Sequence, residues 1–469
     1  MIEKLNLLHT HLATMSALLN VVAIGIMSVF SATASIDMKA PGSRFPNITN
    51  NQITWIASLP SITATFGNFF SGYLSLKLGR KAVLMYVSFP FLLSWLMIAY
   101  APSLSWIYAG RLLSGFCSGL CSVAIPAYII EIATIEIRGL LGSCYQVSYT
   151  IGVLIAMSFG LFFRWSWLAI IGALFVASAS CMMLMMPESP AWLIAKGKKE
   201  EAIEVTYFLK GKNIDSNKEY SKLLDHVVEQ HQNSVSLHDF KEPQLYKPIA
   251  LAVGLVFFQQ FSGVNALMAY TVEIFEHAES SVDPSIAAII IASVQVIATM
   301  IGSVLVDKVG RTTLYIISGI FVSLGLFILG INGIVAENVN LSPEIYGWIP
   351  LIGFIIFVAS FSLGYGPIPY LMTPEFVPLH SRTAVLAIAG VFSSLFLFIV
   401  TKTFNDFRDF LSDYGIYWVY GIFSLLGCLF CWICLPETKG KSINEIQQSF
   451  KNLDINPIND TDASNDSIS

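Results

Sequence analysis

Long apolar runs alternate along this chain with shorter polar connections. Twelve of the runs approach the roughly 20 apolar residues that a helix needs to cross a bilayer. They lie at 14–35, 53–75, 82–101, 105–130, 140–162, 166–187, 247–272, 285–306, 313–334, 347–373, 383–404 and 415–435. The pattern predicts an all-α membrane protein with twelve transmembrane helices.

The gap between the sixth and seventh runs divides the chain. Residues 188–246 are polar and charged, carry helix-like segments such as KGKKEEAIEV, and contain no spanning run. We therefore predict two pseudo-symmetric six-helix bundles joined by a cytoplasmic helical linker. A polar cytoplasmic tail follows, and we expect it to be largely disordered. The predicted parts are 1–187, 188–246, 247–437 and 438–469.

Composition agrees with a chain that is mostly covered by lipid. The 469 residues are 55% hydrophobic and 12% charged, whereas a soluble domain has about 25% charged residues. The mean hydropathy is +0.67. The net charge of −5 gives no electrostatic signal for nucleic acid. We expect the lipid bilayer as a partner, no nucleic acid, and a chain that functions as a monomer.

Basic residues in the short loops predict the orientation. On the side shared by the termini and the linker they are Lys77, Arg80, Lys81, Arg138, Lys308, Arg311 and Arg382. Because positive loops favour the cytoplasm, we expect both termini in the cytoplasm of a multi-pass cell-membrane protein. Asn47 and Asn340 begin Asn-X-Thr/Ser triplets on the predicted outer side, and such triplets accept N-glycans.

The two halves of the chain repeat the same short motifs in the same order. Gly-Arg follows the second run in LGRK (78–81) and the eighth run in VGRT (309–312). Pro-Glu follows the sixth run in PESPAWL (187–193) and the twelfth in PETKG (436–440). Parallel repeats with a substrate site between them near the middle of the membrane are a transporter architecture.

These motifs resemble those of the sugar porters of the major facilitator superfamily. The motifs that carry the resemblance are LGRK, GRLLSGFCSG, PAYIIEIATIEIRG, QVSYTIG, PESPAWL, QQFSGVN, DKVGR, GPIPY and PETKG. QQFSGVNALMAY and GYGPIPYLMTPE look most like animal glucose facilitators and insect trehalose transporters. The resemblance implies the two-bundle fold and alternating-access transport of a sugar, such as glucose or trehalose. It implies no enzymatic activity, no cofactor and no metal.

Charged side chains at the inner ends of the helices form the first candidate site. They are Arg80, Glu131, Arg138, Glu188, Asp307, Arg311, Glu375, Arg382 and Glu437. Charges at membrane depth need partners, so we expect Arg–carboxylate pairs that lock the two halves together until the protein opens inward. The alternative is that these residues only anchor helices at the interface. Leu76 stands where the family has Asp, which predicts a first-half latch weaker than the family's.

Uncharged amides inside the helices form the second candidate site. An amide both donates and accepts hydrogen bonds, so it can orient a sugar hydroxyl, but it is costly in an apolar helix unless satisfied. The resemblance assigns sugar binding to Gln146, Gln259, Gln260, Asn265, Gln295 and Tyr370. The alternative is that the amides only bridge helices, as polar side chains in membranes do.

The segment GYGPIPYLMTPE interrupts the tenth run and is a candidate hinge. Proline removes a helical hydrogen bond, and a membrane tolerates irregular backbone beside protein or a water-filled cavity. The predicted hinge residues are Gly364, Gly366, Pro367 and Pro369. Tyr370 stands where the family has Trp, and Ser362, Ser393 and Ser394 stand where it has Glu, Asn and Trp. These smaller side chains favour a wider cavity that suits a disaccharide such as trehalose, or another polyol.

Acidic residues decide the expected energy source. Residues 12–35 contain no Asp, Glu or His, whereas the proton-coupled sugar porters that this chain resembles carry an Asp in the first helix. Glu131 and Glu375 belong to the predicted latch, and Glu273 is expected at an outer helix end, open to water. The sequence lacks the Gly-x-x-x-x-Gly-Lys-Ser/Thr motif of a phosphate-binding loop, so ATP-driven pumping is disfavoured. We predict facilitated diffusion; the alternatives are a proton-coupled symporter and a non-transporting sugar receptor on the same fold.

Overall fold

The first half of the molecule is a bundle of six long helices. The computed structural model describes residues 2–133, 137–210, 224, 243–278, 281–338, 347–377, 381–412 and 414–437. The six helices are α1 (Ile2–Lys39), α2 (Asn50–Leu78), α3 (Arg80–Ala99), α4 (Leu104–Ile132), α5 (Arg138–Phe162) and α6 (Trp165–Leu184). The shortest of them has 20 residues, which is enough to cross a hydrocarbon core of about 30 Å at about 1.5 Å per residue.

Two short helices of the linker follow on the inner side, which is defined here as the side that carries them. They are α7 (Pro190–Ala195) and α8 (Lys199–Lys210). α8 packs against the start of α1, where Thr10 Oγ1 donates to the Leu209 carbonyl at 3.0 Å. The described part of the linker is thus attached to the first half. The predicted linker between 211 and 242, except Leu224, and the predicted tail 438–469 lie outside the described residues.

The second half follows the same plan, with two interrupted spans. The seventh span consists of α9 (Pro243–Phe261) and α10 (Val264–Ala269), and α11 (Thr271–His277) continues it outward. The remaining elements are α12 (Pro284–Val309), α13 (Arg311–Asn338), α14 (Ile349–Ser360), a π-helical turn (Phe361–Tyr365), α15 (Ile368–Met372), α16 (Arg382–Leu411) and α17 (Gly415–Cys434). The predicted apolar runs coincide closely with these spans.

The helices have the apolar length that a membrane requires. Within the described ranges, eleven helical spans are long and apolar enough to cross a bilayer. α2 supplies a further span of 29 residues. It packs against α4 and α16 and buries Asn68 and Ser71. The predicted all-α fold is confirmed, and the count of twelve spans is consistent with it.

The two halves meet along two pairs of helices. α2 of the first half packs against α16 of the second, and α5 packs against α12. Away from the linker, on the outer side, α1 also contacts α10 and α11. The predicted sugar-binding residues lie on α5, α9, α10, α12 and α15, so both halves contribute residues that flank this junction.

Candidate functional site

A hydrogen-bonded network joins three of the predicted sugar-binding residues. Gln260, near the end of α9, donates from Nε2 to Ser393 Oγ on α16 at 3.1 Å. Asn265 on α10 donates from Nδ2 to Gln260 Oε1 at 2.9 Å, and the Tyr370 hydroxyl lies 2.9 Å from Ser393 Oγ. The network therefore converges on Ser393, which the sequence marked only as a departure from the family pattern.

A break in the seventh span brings Gln260 and Asn265 together. On a continuous helix, residues five positions apart point in different directions, because about 3.6 residues make one turn. Gly263, between α9 and α10, has a φ of +79°, a left-handed conformation that glycine adopts without steric cost. This break re-aims Asn265 so that its side chain reaches the amide of Gln260.

Gln259 connects the amide network to the interrupted tenth span. Its Nε2 donates to the backbone carbonyl of Gly366 at 2.5 Å. Its Oε1 lies 3.5 Å from Nε2 of Gln260. This contact links the backbone at Gly366 to the side chains that were predicted to hold the sugar.

Gln146 and Gln295 lie on the other junction between the halves. Gln146 is half-buried on α5 and Gln295 is buried on α12, and these two helices pack against each other. The Oε1 atom of Gln295 has no hydrogen-bond partner among the described residues. Buried polar atoms are normally satisfied, so this oxygen is available to a hydroxyl donor of a bound solute.

Two tyrosines that flank Gln146 were missed by the sequence prediction. Tyr145 and Tyr149 on α5 lie within electrostatic range of Tyr370, so aromatic groups of the first half lie near the network of the second. Tyr149 belongs to the QVSYTIG motif, and Tyr145 directly precedes it. Residue type gave no signal, because tyrosine is common in membrane helices and a single sequence does not separate a cavity wall from a lipid-facing surface.

The tenth span is interrupted at the predicted hinge. α14 ends at Ser360, and a π-helical turn follows, in which the Gly366 amide donates to the Phe361 carbonyl at 2.8 Å. Gly364 lies in this turn, and Pro367 and Pro369 lie at the start of α15, where their missing N–H groups remove the regular pattern. The irregular backbone is at the expected position, and its action as a hinge stays a prediction.

The first-half cluster consists of Arg80, Glu131, Glu188 and Ser189 on the inner side. Arg80 donates to Glu131 Oε1 from Nε at 3.0 Å and from Nη2 at 2.8 Å. Its Nη1 donates to the Ser75 carbonyl at 3.0 Å, and the Ser189 hydroxyl donates to the other carboxylate oxygen of Glu131. Both partners of the ion pair are therefore held by additional hydrogen bonds.

Glu188 caps the start of α3. Its carboxylate accepts from the backbone amides of Arg80 at 2.9 Å, Lys81 at 3.0 Å and Ala82 at 3.2 Å. A negative charge is favoured at a helix N-terminus, where the first amides have no helical partner. Gly79 precedes the helix with a φ of +109°, and a Cβ there would lie 2.3 Å from Glu188 Oε2, so the approach of the carboxylate requires glycine.

The second-half cluster consists of Arg311, Glu375, Glu437 and Thr312 and repeats this plan. Arg311 Nη2 lies 3.5 Å from Glu375 Oε1. Glu437 caps the start of α13 by accepting from the amides of Arg311 and Thr312, both at 3.1 Å, and from the Thr312 hydroxyl. These contacts and those of the first-half cluster join helices of the same half, so an ionic lock between the halves stays a prediction.

Three further members of the predicted latch are placed by their backbone. Arg138 begins α5, Asp307 lies near the inner end of α12, and Arg382 begins α16. The side chains of Arg138 and Asp307 lie outside the described part of the chain. The positions of the three helix ends agree with an inner latch, whose contacts through these residues remain to be tested.

The expectation that Glu273 is open to water is wrong. Its residue is only 9% exposed, and its Oε1 lies 3.5 Å from Arg408 Nη2 on α16. The short helix α11 packs its side chain inward, towards a residue 135 positions away in sequence. The argument that Glu273 does not couple proton movement to sugar transport therefore rests on its ion pair with Arg408 and not on its exposure to water.

Polar and aromatic contacts join the two halves on the outer side. Lys402 on α16 donates to Asn51 Oδ1 at 2.9 Å, and its Nζ lies 4.7 Å from the centre of the Trp55 ring. Asn405 Nδ2 donates to Thr54 Oγ1 at 3.0 Å. These five residues, here called the outer contact, connect the first two turns of α2 to α16.

Asn68 links the same two helices closer to the inner side. Its Nδ2 donates to the Gly390 carbonyl at 3.0 Å and to Ser394 Oγ at 2.8 Å. Its Oδ1 accepts from Ser122 of α4 at 2.5 Å. Ser394 thus contributes to the junction between the halves at a position where the family has Trp.

The two candidate glycosylation sites differ in what the structure describes. Asn47 is exposed just before α2, and Thr49 of the same triplet caps that helix by accepting from the Gln52 amide at 3.3 Å. Asn340 lies outside the described residues. Attachment of a glycan at either residue stays a prediction.

Two six-helix halves with a polar network at their junction define a transporter of the major facilitator class. Residues 10–450 match the family described as Sugar (and other) transporter. The chain is 33% identical to the facilitated trehalose transporter Tret1 of Apis mellifera ligustica, over 94% of this chain and 88% of that protein. It is 35% identical to the Tret1-2 homolog of Drosophila simulans, over 94% and 90%. The chain therefore belongs to the sugar transporter family and is not an enzyme.

Solved structures show the same fold. The proton:xylose symporter XylE bound to 6-bromo-6-deoxy-D-glucose has a TM-score of 0.77 at 24% identity, covering 94% of this chain and 99% of its own. The inward-open form of the xylose transporter XylE from E. coli has a TM-score of 0.76 at 23% identity, covering 94% and 98%. These likenesses support the fold, and the predicted function, facilitated transport of a sugar, agrees with the family.

Proposed function

We propose that this chain transports trehalose, or a hexose such as glucose, by facilitated diffusion through alternating access. The observation that carries the proposal is the uncharged network of Gln260, Asn265, Ser393 and Tyr370. Each of its groups can exchange its internal hydrogen bond for one to a sugar hydroxyl. Because none of these groups is charged, the site suits a neutral solute and does not hold an ion.

The choice of a disaccharide is supported by relatives and by side-chain size. Proteins named as facilitated trehalose transporters match nearly the whole chain. Ser393 and Ser394 replace larger family side chains, and Ser393 is the point where Gln260 and Tyr370 meet. A small hydroxyl at the centre of the site leaves volume for a second ring. Gln146, Gln259 and Gln295 complete the proposed set of sugar contacts.

Facilitated diffusion is supported by how the acidic residues near the spans are paired. Glu131 contacts Arg80 at 2.8 Å, Glu375 contacts Arg311 at 3.5 Å, and Glu273 contacts Arg408 at 3.5 Å. A coupling carboxylate must bind and release a proton in the central cavity, whereas these three carboxylates are engaged by arginines near the inner and outer ends of the helices. A proton-coupled cycle is therefore the less favoured alternative.

The orientation follows from the positive-inside rule. We propose a multi-pass protein of the cell membrane with cytoplasmic termini, functional as a monomer, with the clusters around Arg80 and Arg311 acting as the inner latch. Asn47 then lies outside, where it is accessible to a glycan. Asn340 is the second candidate, on the same side.

Transport by the purified protein in proteoliposomes tests the proposal. We expect saturable counterflow of radiolabelled trehalose, with glucose measured in parallel to rank the two substrates. An imposed pH gradient should produce no accumulation. Uphill accumulation that a protonophore abolishes would establish the symporter alternative, and saturable binding without counterflow would establish the receptor alternative.

A further inference from the structure

Arg111 lies in the middle of the first half and is completely buried. It is on α4 and has 0% exposure. Its Nε donates to the Ile56 carbonyl of α2 at 2.8 Å, and its Nη1 donates to the Met27 carbonyl of α1 at 2.8 Å. The guanidinium also lies 5.4 Å from the centre of the Phe30 ring. A buried cation needs such partners, and here two backbone carbonyls on two different helices supply them.

The carbonyl of Ile56 differs from that of Met27 in one respect. In an α-helix a carbonyl accepts from the amide four residues later, and the residue four positions after Ile56 is Pro60, which has no N–H. Four residues after Met27 stands Ser31, which has one. Arg111 therefore supplies the donor that Pro60 removes from the hydrogen-bond ladder of α2.

The segment of α2 before Pro60 carries the first-half side of the outer contact. Asn51, Thr54 and Trp55 lie in it, and they contact Lys402 and Asn405 of the second half. A helix is weakest where a proline interrupts its ladder. The direction of this outer segment relative to the rest of α2 thus depends on the hydrogen bond that Arg111 donates to Ile56.

We propose that Arg111 is a positioning residue for outer closure: by donating to the carbonyl that Pro60 frees, it holds the start of α2 where it seals against α16. The inference rests on the proposed alternating-access cycle, because it assigns a residue to one of its two closures. Loss of the Arg111 hydrogen bond lets the outer segment of α2 swing, and the outward-open population rises.

The test measures opening of the outer side without requiring sugar flux. Ser31 is 2% exposed at a contact between the halves, where its Oγ lies 3.5 Å from the Ala269 carbonyl. A Ser31→Cys reporter in lipid nanodiscs is labelled with a maleimide, and the labelling of the parent chain is subtracted. Arg111→Met should raise the labelling rate about tenfold, as expected for the loss of a hydrogen bond from a charged donor.

Replacement of the proline provides the decisive comparison. Pro60→Ala restores a backbone N–H that can bond to the Ile56 carbonyl, so in that background Arg111→Met should raise labelling by less than about threefold. Arg164→Met, the same substitution at an exposed arginine, is the matched control and should leave labelling unchanged. An equal effect of Arg111→Met with and without Pro60→Ala, or no effect in either, overturns the proposal.

A conservative variant keeps the test decisive if Arg111→Met does not fold. Arg111→Lys retains a charged donor, but an ammonium group does not reach both carbonyls as a guanidinium does. It should therefore raise the labelling rate by a smaller factor than Arg111→Met, and Pro60→Ala should again suppress this increase. A purely structural loss would lower protein yield without this dependence on Pro60. Absence of counterflow in the parent chain would refute the proposed function, whereas the labelling result is read independently of it.

Discussion

The two inner clusters are built from the same motifs but differ in the geometry of the Arg–Glu pair. In the first half, Arg80 and Glu131 approach to 2.8 Å, with side chains 10% and 19% exposed. In the second, Arg311 and Glu375 approach to 3.5 Å, with side chains 17% and 32% exposed. Ser189 also donates to Glu131. The first pair is closer and less accessible to water, so its electrostatic interaction is screened less.

The caps of the following helices show much less difference. Glu188 accepts from three backbone amides at the start of α3, and Glu437 accepts from two amides and the Thr312 hydroxyl at the start of α13. The comparison distinguishes the Pro-Glu caps, which are similar in the two halves, from the Arg–Glu pairs, which are not. Pro-Glu fixes the start of a helix in both halves, whereas the geometry of the Arg–Glu pair differs between them.

Neutralising each glutamate of the two ion pairs should give the largest contrast. Glu131→Gln leaves Arg80 largely buried without a charged partner and should cost about 3 kcal/mol of stability. Glu375→Gln removes a longer, wetter contact and should cost about 1 kcal/mol. The measurement is thermal unfolding in detergent, followed by size-exclusion chromatography. Equal losses in the two variants would show that the geometric difference has no energetic counterpart.

The glycines before the capped helices provide the next contrast. Gly79 and Gly310 have φ values of +109° and +106° in a region that is nearly restricted to glycine, at a cost of about 1–3 kcal/mol for other residues. A Cβ would lie 2.3 Å from Glu188 Oε2 at Gly79 but 3.0 Å from Glu437 Oε2 at Gly310. Gly79→Ala should therefore lower the unfolding temperature more than Gly310→Ala, and the reverse order would contradict the cap geometry.

The proposed sugar-binding residues extend the comparison from stability to transport. Gln260 takes part in a network with Asn265 and Ser393, whereas Gln146 in the first half is half-buried on α5. Gln260→Ala should raise the KM for sugar counterflow about tenfold, equivalent to about 1.4 kcal/mol, and Gln146→Ala should raise it less. Both variants should reach the membrane normally. An unchanged KM in Gln260→Ala would remove Gln260 from the site.

The sequence predicted the features that are determined by residues close together along the chain. It did not predict those that depend on contacts between distant helices. The spans and the interrupted tenth helix followed from local composition and from Pro367 and Pro369. The convergence of Gln260 and Asn265 depends on the left-handed conformation of Gly263, which interrupts the helix between them. Glu273 was misjudged, because its burial depends on Arg408, on another helix.

Other contacts were beyond a single sequence for the same reason. The role of Ser393 as the meeting point of the network, and the bond from Arg111 to Ile56, require the relative rotation of helices that are distant along the chain. Side-chain chemistry identified candidate polar residues, since polar groups in membranes are rare. It did not identify their partners, because many pairings of helices satisfy the same apolar pattern.

A substitution at Leu76 should have the smallest effect, and it tests whether the first-half cluster needs a further carboxylate. The family Asp at this position predicted a weaker latch in its absence, yet Arg80 already contacts Glu131 and the Ser75 carbonyl. Leu76 is 47% exposed, and its carbonyl accepts from Trp192 Nε1 at 3.0 Å. A carboxylate added there by Leu76→Asp would stay near water, so it should change stability by less than about 1 kcal/mol. Thermal unfolding at low and high salt measures this directly: a salt-sensitive gain well above that value would show that the cluster is incomplete, whereas a small change means that Glu131 and the Ser75 carbonyl already satisfy Arg80.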